Sequence, residues 1–465
     1  MGIEGTTKEY IASLVERARK AQLIAETFTQ ERVDELVTAI VWDIVQEGTS
    51  RQIAQMAVDE TKMGNFDGKY AKLQGKLRGV LRDMKGEKTV GVVERNEKMG
   101  IIKIAKPAGV VGAILPMTNP EATPVMVAMM AVKTRSAAIL HPHRRAQKTN
   151  NYIVSLIRAT LKKYGAPEDL VIGIEGSSRD TILELMKQVD LIVASGGKSL
   201  SNAAYSSGTP AYGVGQGNAP SVVDETADLK DAANKIMRSK TFDFATSCST
   251  ENSLVIQESV YDEMIQCLKN EGGYLVNADE KAKLQAGMWI DGSLNGDIVG
   301  QPLEVIAKIA GLTIPADRKF FMVEETGIGP DYPFSGEKIS MVVTIYKYGE
   351  FQEAIDKVKT ITDYQGRGHS CGIHSFDEER IMKYALAINV GRLMIRQPQC
   401  LSNSGSWTNG MPMTLIQGSG TWGRNISSDN FNFRKLLNYT LVAAPIESTQ
   451  PTDEELFGDI MLQNR

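Results

Sequence analysis

Apolar residues recur at helical spacing along the first part of the chain. "EYIASLVERARKAQLIAETF" and "QERVDELVTAIVWDIVQE" together predict helix over residues 7–47, and "KYAKLQGKLRGVLRDMKG" predicts another. The pattern then changes. "GIIKIAKPAGVVGAILP" is β-branched and strand-like, punctuated by Pro107 and Gly109. After it, short apolar strands alternate with longer helical stretches. "EATPVMVAMMAVKTR" reads as helix, "SAAILHPH" as buried strand, "NNYIVSLIRATLKKYG" as helix, "DLVIGIEG" as strand, "SRDTILELMKQV" as helix and "DLIVASGG" as strand. That alternation predicts a doubly wound parallel sheet.

A second α/β block begins near residue 241. Strand followed by helix is expected in "NSLVIQESVYDEMIQCLKNEG", "KISMVVTIYKYGEFQEAIDKVK" and "HSCGIHSFDEERIMKYALAIN". Loops rich in Gly, Ser and Asn follow, and "NYTLVAAP" reads as a late strand. The expected division is residues 1–240, 241–414 and a returning segment 415–465. The fold class is α/β: two Rossmann-like domains with a cleft between them.

Composition narrows the classes of function. A formal net charge of −4, with no basic stripe, argues against a nucleic-acid partner. The longest apolar run, "PVMVAMMAV", is far shorter than the roughly 20 residues a membrane helix needs. The N-terminus lacks the basic and apolar regions of a secretion signal, although "MGIEGT" fits a loose myristoylation pattern at Gly2. Cys248, Cys267, Cys371 and Cys400 show no metal-type or disulfide-type spacing, and histidines are few, so no metal site is expected. The plain reading is a cytoplasmic protein with free thiols.

Three stretches carry candidate chemistry. In "DLIVASGGKSLSNAAYSSG", Ser195, Gly196 and Gly197 follow a strand and open a helix, a place where backbone can approach an anionic ligand. It is not a P-loop, since Ile192 stands where the first glycine would be, and a tight turn without a ligand is the alternative. "LHPHRRAQKT" ends a strand with His143, Arg144 and Arg145, which suit a cofactor phosphate or simply a solvated loop. "TFDFATSCSTEN" holds Cys248 among small hydroxyl residues. By itself it leaves open whether that thiol is a nucleophile or core filler.

Several long motifs in one order resolve this. "ILPMTNPEATP", "HPHRRAQKTN", "SGGKSLSNAAYSSGTPAYGVGQGNAP", "DETADLKDAANKIMRSKTFDFATSCSTENS" and "GHSCGIHS" resemble those of CoA-acylating aldehyde dehydrogenases, over nearly the whole chain. The likeness extends to the aldehyde dehydrogenase half of the bifunctional aldehyde–alcohol enzymes, to acylating succinate-semialdehyde dehydrogenases and to acylating sulfoacetaldehyde dehydrogenases. It implies an aldehyde dehydrogenase-like fold with Cys248 as the nucleophile, which adds to an aldehyde, loses hydride to a nicotinamide and becomes a thioester. It also implies that Asn119 donates to the oxyanion, beside the backbone N–H of Cys248. Ser195, Gly196, Gly197, His143, Arg144, Arg145, Gly217 and Glu337 would bind cofactor, with Glu337 on the nicotinamide ribose. His369 would lie near the active site. The family further implies a homodimer or homotetramer, built through a strand hairpin near residues 91–110 and the late strand.

Hydrolytic relatives activate water with a glutamate some thirty residues before the nucleophile. Here "YGVGQGNAP" has no carboxylate between Tyr212 and Pro220, which favours coenzyme A as the acyl acceptor, since a thiol needs less help than water. Arg396, in "MIRQPQC", stands where relatives usually carry asparagine and would pair with an anionic tail on the aldehyde, unless it makes a structural salt bridge. A short anionic aldehyde is expected, sulfoacetaldehyde ahead of succinate semialdehyde. Arg144 and Arg145 tilt the cofactor toward NADP over NAD. The alternatives are a non-acylating aldehyde dehydrogenase and a non-catalytic structural or assembly subunit.

Overall fold

The computed structural model describes residues 6–463, so the myristoylation-like pattern at Gly2 lies outside the described residues. Four helices come first: α1 (Thr7–Ala25), α2 (Gln30–Val45), α3 (Glu47–Thr61) and α4 (Phe66–Met84). Thr6, Thr29 and Asn65 cap α1, α2 and α4, each accepting an N–H from the first turn. Those donors would otherwise lack partners. The separate helix α3 is not foreseen from the periodicity, because it buries little more than Ile53, Ala54 and Ala57 on its apolar side. None of the helices among the described residues is long and apolar enough to cross a membrane.

The strand-like stretch 100–116 is divided between two sheets. Strands β1 (Gly91–Asn96) and β2 (Ile101–Pro107) form an antiparallel hairpin, while β3 (Val110–Ile114) enters a different sheet. The break falls at Gly109, whose φ is +104°. Any Cβ there would lie 2.2 Å from the Asp190 carboxylate, so only glycine fits this turn.

Strand β3 is the centre of a five-stranded parallel sheet with β4 (Ala137–His141), β5 (Val171–Gly173), β6 (Leu191–Ser195) and β7 (Ala211–Val214), in the order β5-β4-β3-β6-β7. The connections are α5 (Thr123–Lys133), α6 (Gln147–Lys163), α7 (Arg179–Gln188) and α8 (Lys198–Tyr205). Every residue of α5 is buried, as its continuous apolar sequence requires. Strand order reverses between β3 and β6, which makes their carboxyl ends the expected ligand crevice of such a sheet.

The second sheet has seven parallel strands. In chain order, with the helix α9 (Leu229–Thr241) among them, they are β8 (Ala219–Val223), β9 (Glu251–Gln257), β10 (Gly273–Leu275), then, after the small hairpin β11 (Trp289–Ile290) and β12 (Ser293–Leu294), β13 (Phe320–Glu324), β14 (Val342–Tyr348), β15 (Cys371–His374) and β16 (Leu393–Ile395). They lie in the order β10-β13-β14-β9-β8-β15-β16. The chain therefore changes sheets between Val214 and Ala219, ahead of the expected boundary at residue 240. Strand β8 is short, contains Pro220 and is buried on both faces, so it offers no alternation to read. The last strand, β17 (Leu437–Ala443), pairs with β2 and completes a three-stranded sheet that stays largely exposed.

The two large sheets meet in a particular way. The loops beyond the carboxyl ends of β3, β4 and β6 face the segments that lead into β8, β9 and β14, and both sets line one cavity.

Candidate active site

That cavity holds ≈ 1090 Å³, large enough for more than one small molecule. Cys248 and Asn119 line it, together with Lys72, Lys76, Arg144 and Arg179. Glu337 supplies the sole carboxylate among the described lining residues. The cavity is therefore chemically suited to anions.

Cys248 arrives there on unusual backbone. After α9 the chain passes through Asp243, Phe244 and Ala245, all left-handed at φ +49°, +50° and +59°. Such a run of non-glycine residues is costly and persists only where surrounding contacts hold it. The Cys248 Sγ then lies 3.2 Å from Nε2 of His369. Nδ1 of His369 is 2.8 Å from the Ser370 hydroxyl, and the carbonyl of His369 accepts a 2.8 Å bond from the buried Arg392 guanidinium. Burial, reinforced by Glu337, pushes the Cys248 thiol up to about 12. Burial, reinforced by Arg392, pushes His369 down to about 3. The resting pair is thus a neutral thiol against a neutral imidazole, with Nε2 placed to accept the thiol proton. Arg392 was not read from the sequence, since nothing local ties it to a histidine 23 residues earlier.

Asn119 follows β3. Its Oδ1 accepts a 2.6 Å bond from Lys72 Nζ, and its Nδ2 makes one long contact, 3.3 Å, with the Thr118 hydroxyl. The second N–H of that amide has no acceptor among the described residues.

The residues expected to hold a dinucleotide divide. Ser195, Gly196 and Gly197 line the cavity beyond β6, and Gly197 opens α8 without a side-chain cap. A Cβ on Gly197 would meet nothing within 4 Å, so the backbone is open to the cavity. His143 and Arg144 also line it. Arg145 does not: its guanidinium donates to the Thr61 carbonyl, which draws it toward α3. Arg179, at the start of α7, joins Arg144 instead. Gly217 lies just off the cavity, beneath Cys248. A Cβ there would lie 2.1 Å from the Cys248 carbonyl, and its N–H donates to Glu337 Oε1 at 2.9 Å. Burial pushes Glu337 up to about 8 in spite of that bond. The open backbone at Gly197, an uncapped helix start and the two guanidiniums of Arg144 and Arg179, without carboxylate partners among the described residues, fit a phosphate-bearing cofactor.

Arg396 does not face the cavity. Its guanidinium stacks 4.4 Å from the Phe376 ring and donates to the Ser375 carbonyl at 2.6 Å, which holds it away from any substrate in the cavity. His369 sits behind the sulfur, only 1% exposed, and so contacts Cys248 rather than a substrate tail. Among the cations that do line the cavity is Lys76, one turn beyond Lys72 on α4. Its ammonium donates to the Ser404 carbonyl at 3.3 Å and to that of Gly405, and no carboxylate among the described residues lies within ion-pairing distance. Burial pushes it down to about 8. The spacing of Lys69, Lys72 and Lys76, which puts three ammonium groups on one helix face, is the signal that would have revealed it.

Comparison with known proteins adds to this geometry. The model of the aldehyde dehydrogenase family matches residues 2–292. The chain is 43% identical over 454 residues to the acylating sulfoacetaldehyde dehydrogenase of Cupriavidus necator, covering 97% of this chain and 92% of that one. It is 36% identical over 453 residues to the acetylating succinate-semialdehyde dehydrogenase of Clostridium kluyveri, covering 96% and 99%. Its fold is similar to that of an acetylating aldehyde dehydrogenase from Geobacillus thermoglucosidasius, with a TM-score of 0.93 and 36% identity over 96% of this chain and 98% of the other.

The resting thiol yields a direct prediction. Because its pKa lies above the working range, alkylation of Cys248 by iodoacetamide in cofactor-free protein should accelerate roughly tenfold for each pH unit between about 6 and 9, as the thiolate fraction grows. A rate already level at neutral pH would show that the imidazole holds the proton at rest.

Proposed function

The chain belongs to the aldehyde dehydrogenase family, as an oxidoreductase of the acylating kind, and from that premise we propose that it converts a short anionic aldehyde into its acyl-CoA through a thioester on Cys248. Sulfoacetaldehyde is the favoured substrate. The observation that carries the reading is the 3.2 Å approach of Cys248 Sγ to a neutral His369, in a cavity lined by four Lys and Arg side chains and, among its described lining residues, one carboxylate.

The steps follow from the groups in place. Transfer of the thiol proton to His369 Nε2 is unfavourable at rest, so it accompanies C–S bond formation, which makes the proton on sulfur far more acidic as the sulfur bonds to the aldehyde carbon. The resulting oxyanion accepts from Asn119 Nδ2 and from the Cys248 N–H. Ser195, Gly196, Gly197, Arg144 and Arg179 would hold a nicotinamide cofactor, which would supply the hydride acceptor for this carbon. Cys248 then carries a thioester. The thiol of coenzyme A attacks it, His369 returns its proton to the departing sulfur, and the coenzyme A proton goes to solvent. A thioester is exchanged for a thioester, so the reaction also runs from acyl-CoA to aldehyde.

Hydrolysis is disfavoured on two grounds. No carboxylate lies between Tyr212 and Pro220. Glu337, which does reach the cavity, is held up near 8 and engaged by the Gly217 N–H, so at neutral pH it is largely protonated and a poor base for water. Lys76 takes over the role first read into Arg396. A cation turned toward the cavity with no carboxylate within reach is satisfied when the substrate brings the anion. Arg144 and Arg179 support NADP over NAD, since both guanidiniums are free to meet a further phosphate. The cofactor-binding unit then ends near Val214, where the chain leaves the first sheet. The β1-β2-β17 sheet serves as the oligomerisation element of a homodimer or homotetramer, with Leu441 62% exposed on its open strand. Succinate semialdehyde is the second reading, supported by the Clostridium kluyveri relative.

Sustained formation of reduced cofactor should require coenzyme A, with at most one equivalent per site formed without it. Continued turnover in its absence would identify a hydrolytic enzyme.

Lys76→Met should reduce kcat/KM for sulfoacetaldehyde by a factor equivalent to about 2–5 kcal/mol, the cost of removing one partner of a buried charge pair. Acetaldehyde should be nearly unaffected, and Arg396→Ala should leave the discrimination between the two aldehydes intact. Equal losses on both aldehydes in Lys76→Met would assign Lys76 a structural role.

A further inference from the structure

At the edge of the cavity, which Lys72 itself lines, lies a cluster of buried charges that the steps above do not use. Lys69 and Lys72 of α4 both direct their ammonium groups at the same oxygen of Asp243, Lys69 at 2.9 Å. Glu121, fully buried, stands 3.8 Å from each ammonium, and neither of its oxygens accepts a hydrogen bond among the described residues. Two cations and two carboxyl groups in so dry a place are poor sources of stability, because desolvation offsets most of their attraction. What they touch next is more informative.

Lys69 donates to the Thr118 carbonyl at 2.6 Å, and Lys72 to Oδ1 of Asn119 at 2.6 Å. Asp243 also accepts from the Asn65 N–H at 2.8 Å and the Thr246 hydroxyl at 2.6 Å. Its side chain is hemmed in: a Cβ on Gly64 would lie 2.0 Å from Oδ1, and one on Gly68 2.5 Å from its Cβ. The cluster thus joins α4, the loop that carries Asn119 and the left-handed segment that leads to Cys248.

An amide can sit either way round in much the same space, with its oxygen and nitrogen exchanged. Only one orientation presents N–H to an oxyanion, and the other presents a lone pair. A cation on Oδ1 decides between them. We propose that Lys72 is a positioning residue for the oxyanion site: by donating to Asn119 Oδ1, and being itself held by Asp243, it keeps Nδ2 as the face of the amide turned to the reacting carbon. This inference rests on the reading of Asn119 as the oxyanion donor. Lys72 need not touch the substrate, and it should act alike on charged and neutral aldehydes.

The test is a double-mutant cycle on kcat, with Lys69→Met as comparator, since Lys69 shares Asp243 but not Asn119. Asn119→Ala should lower kcat roughly 10²-fold, the usual loss of one oxyanion donor. Lys72→Met should lose a similar factor, on acetaldehyde as on sulfoacetaldehyde, while Lys69→Met loses far less. Adding Lys72→Met to Asn119→Ala should then cost less than about fivefold more, because the group through which Lys72 acts is already gone. Alkylation of Cys248 by iodoacetamide, which forms no oxyanion, should stay within about fivefold of wild type in Lys72→Met. Should Lys72→Met fail to fold, the cycle is run with Lys72→Gln, whose amide keeps a donor for Oδ1: kcat should then stay within about tenfold of wild type, and a hundredfold loss that persists in full in the Asn119→Ala background would overturn the inference. A full further hundredfold loss in the Asn119→Ala background would overturn the inference alone, as would a loss confined to anionic aldehydes. An unchanged kcat in Asn119→Ala would overturn the oxyanion reading and this inference with it.

Discussion

The site depends on how closely the chain packs where it leaves one sheet for the other. At Gly217 the backbone lies against the Cys248 carbonyl, with no room for a Cβ. One residue on, Asn218 donates to the Ser335 carbonyl at 2.9 Å, and its own side-chain oxygen accepts from Asn252. Gly366 presses on the same crossing, since a Cβ there would lie 2.6 Å from the Asn218 nitrogen. The lead-ins to β8, β9 and β14 are thereby locked together, and Cys248 and Glu337 ride on two of them. A side chain at residue 217 would have to move Cys248.

Charge is distributed in a consistent way around that junction. The reacting groups themselves rest neutral: the thiol is pushed up, the imidazole down and Glu337 up, each chiefly by burial. Fixed charge is kept one layer away, with Arg392 behind His369, Lys72 behind Asn119, and Lys76, Arg144 and Arg179 on the cavity wall. A dry, neutral centre makes every dipole aimed at a developing oxyanion more effective, and the surrounding cations draw anionic ligands in. The left-handed turn at Asp243–Ala245 fits this arrangement, because backbone strain there is held by the ion cluster that also orients Asn119.

The α/β alternation from residue 100 onward could be read from the sequence because buried parallel strands are short apolar runs and their helices keep a 3.6-residue period. Both features are local. Long motifs in order identified the family, and they marked Cys248 and Asn119, since loops that bear chemistry carry recognisable residue types at short spacing. The membership of β8 could not be read: a five-residue buried strand looks the same in either sheet. Nor could the directions of Arg145 and Arg396 be read, because a long side chain near a site finds whichever carbonyl or ring the fold sets beside it. The pairing of Cys248 with His369, 121 residues apart, exists only once β9 and β15 have joined the same sheet, and that of Lys72 with Asn119, 47 apart, only once α4 lies beside the loop after β3. Most elements, the family and the candidacy of Cys248 were legible in the sequence alone, because these are written in local pattern. Which cations line the cavity, which imidazole meets the sulfur and which way round the Asn119 amide sits were left to the folded chain, because those depend on distances between segments that only folding brings together.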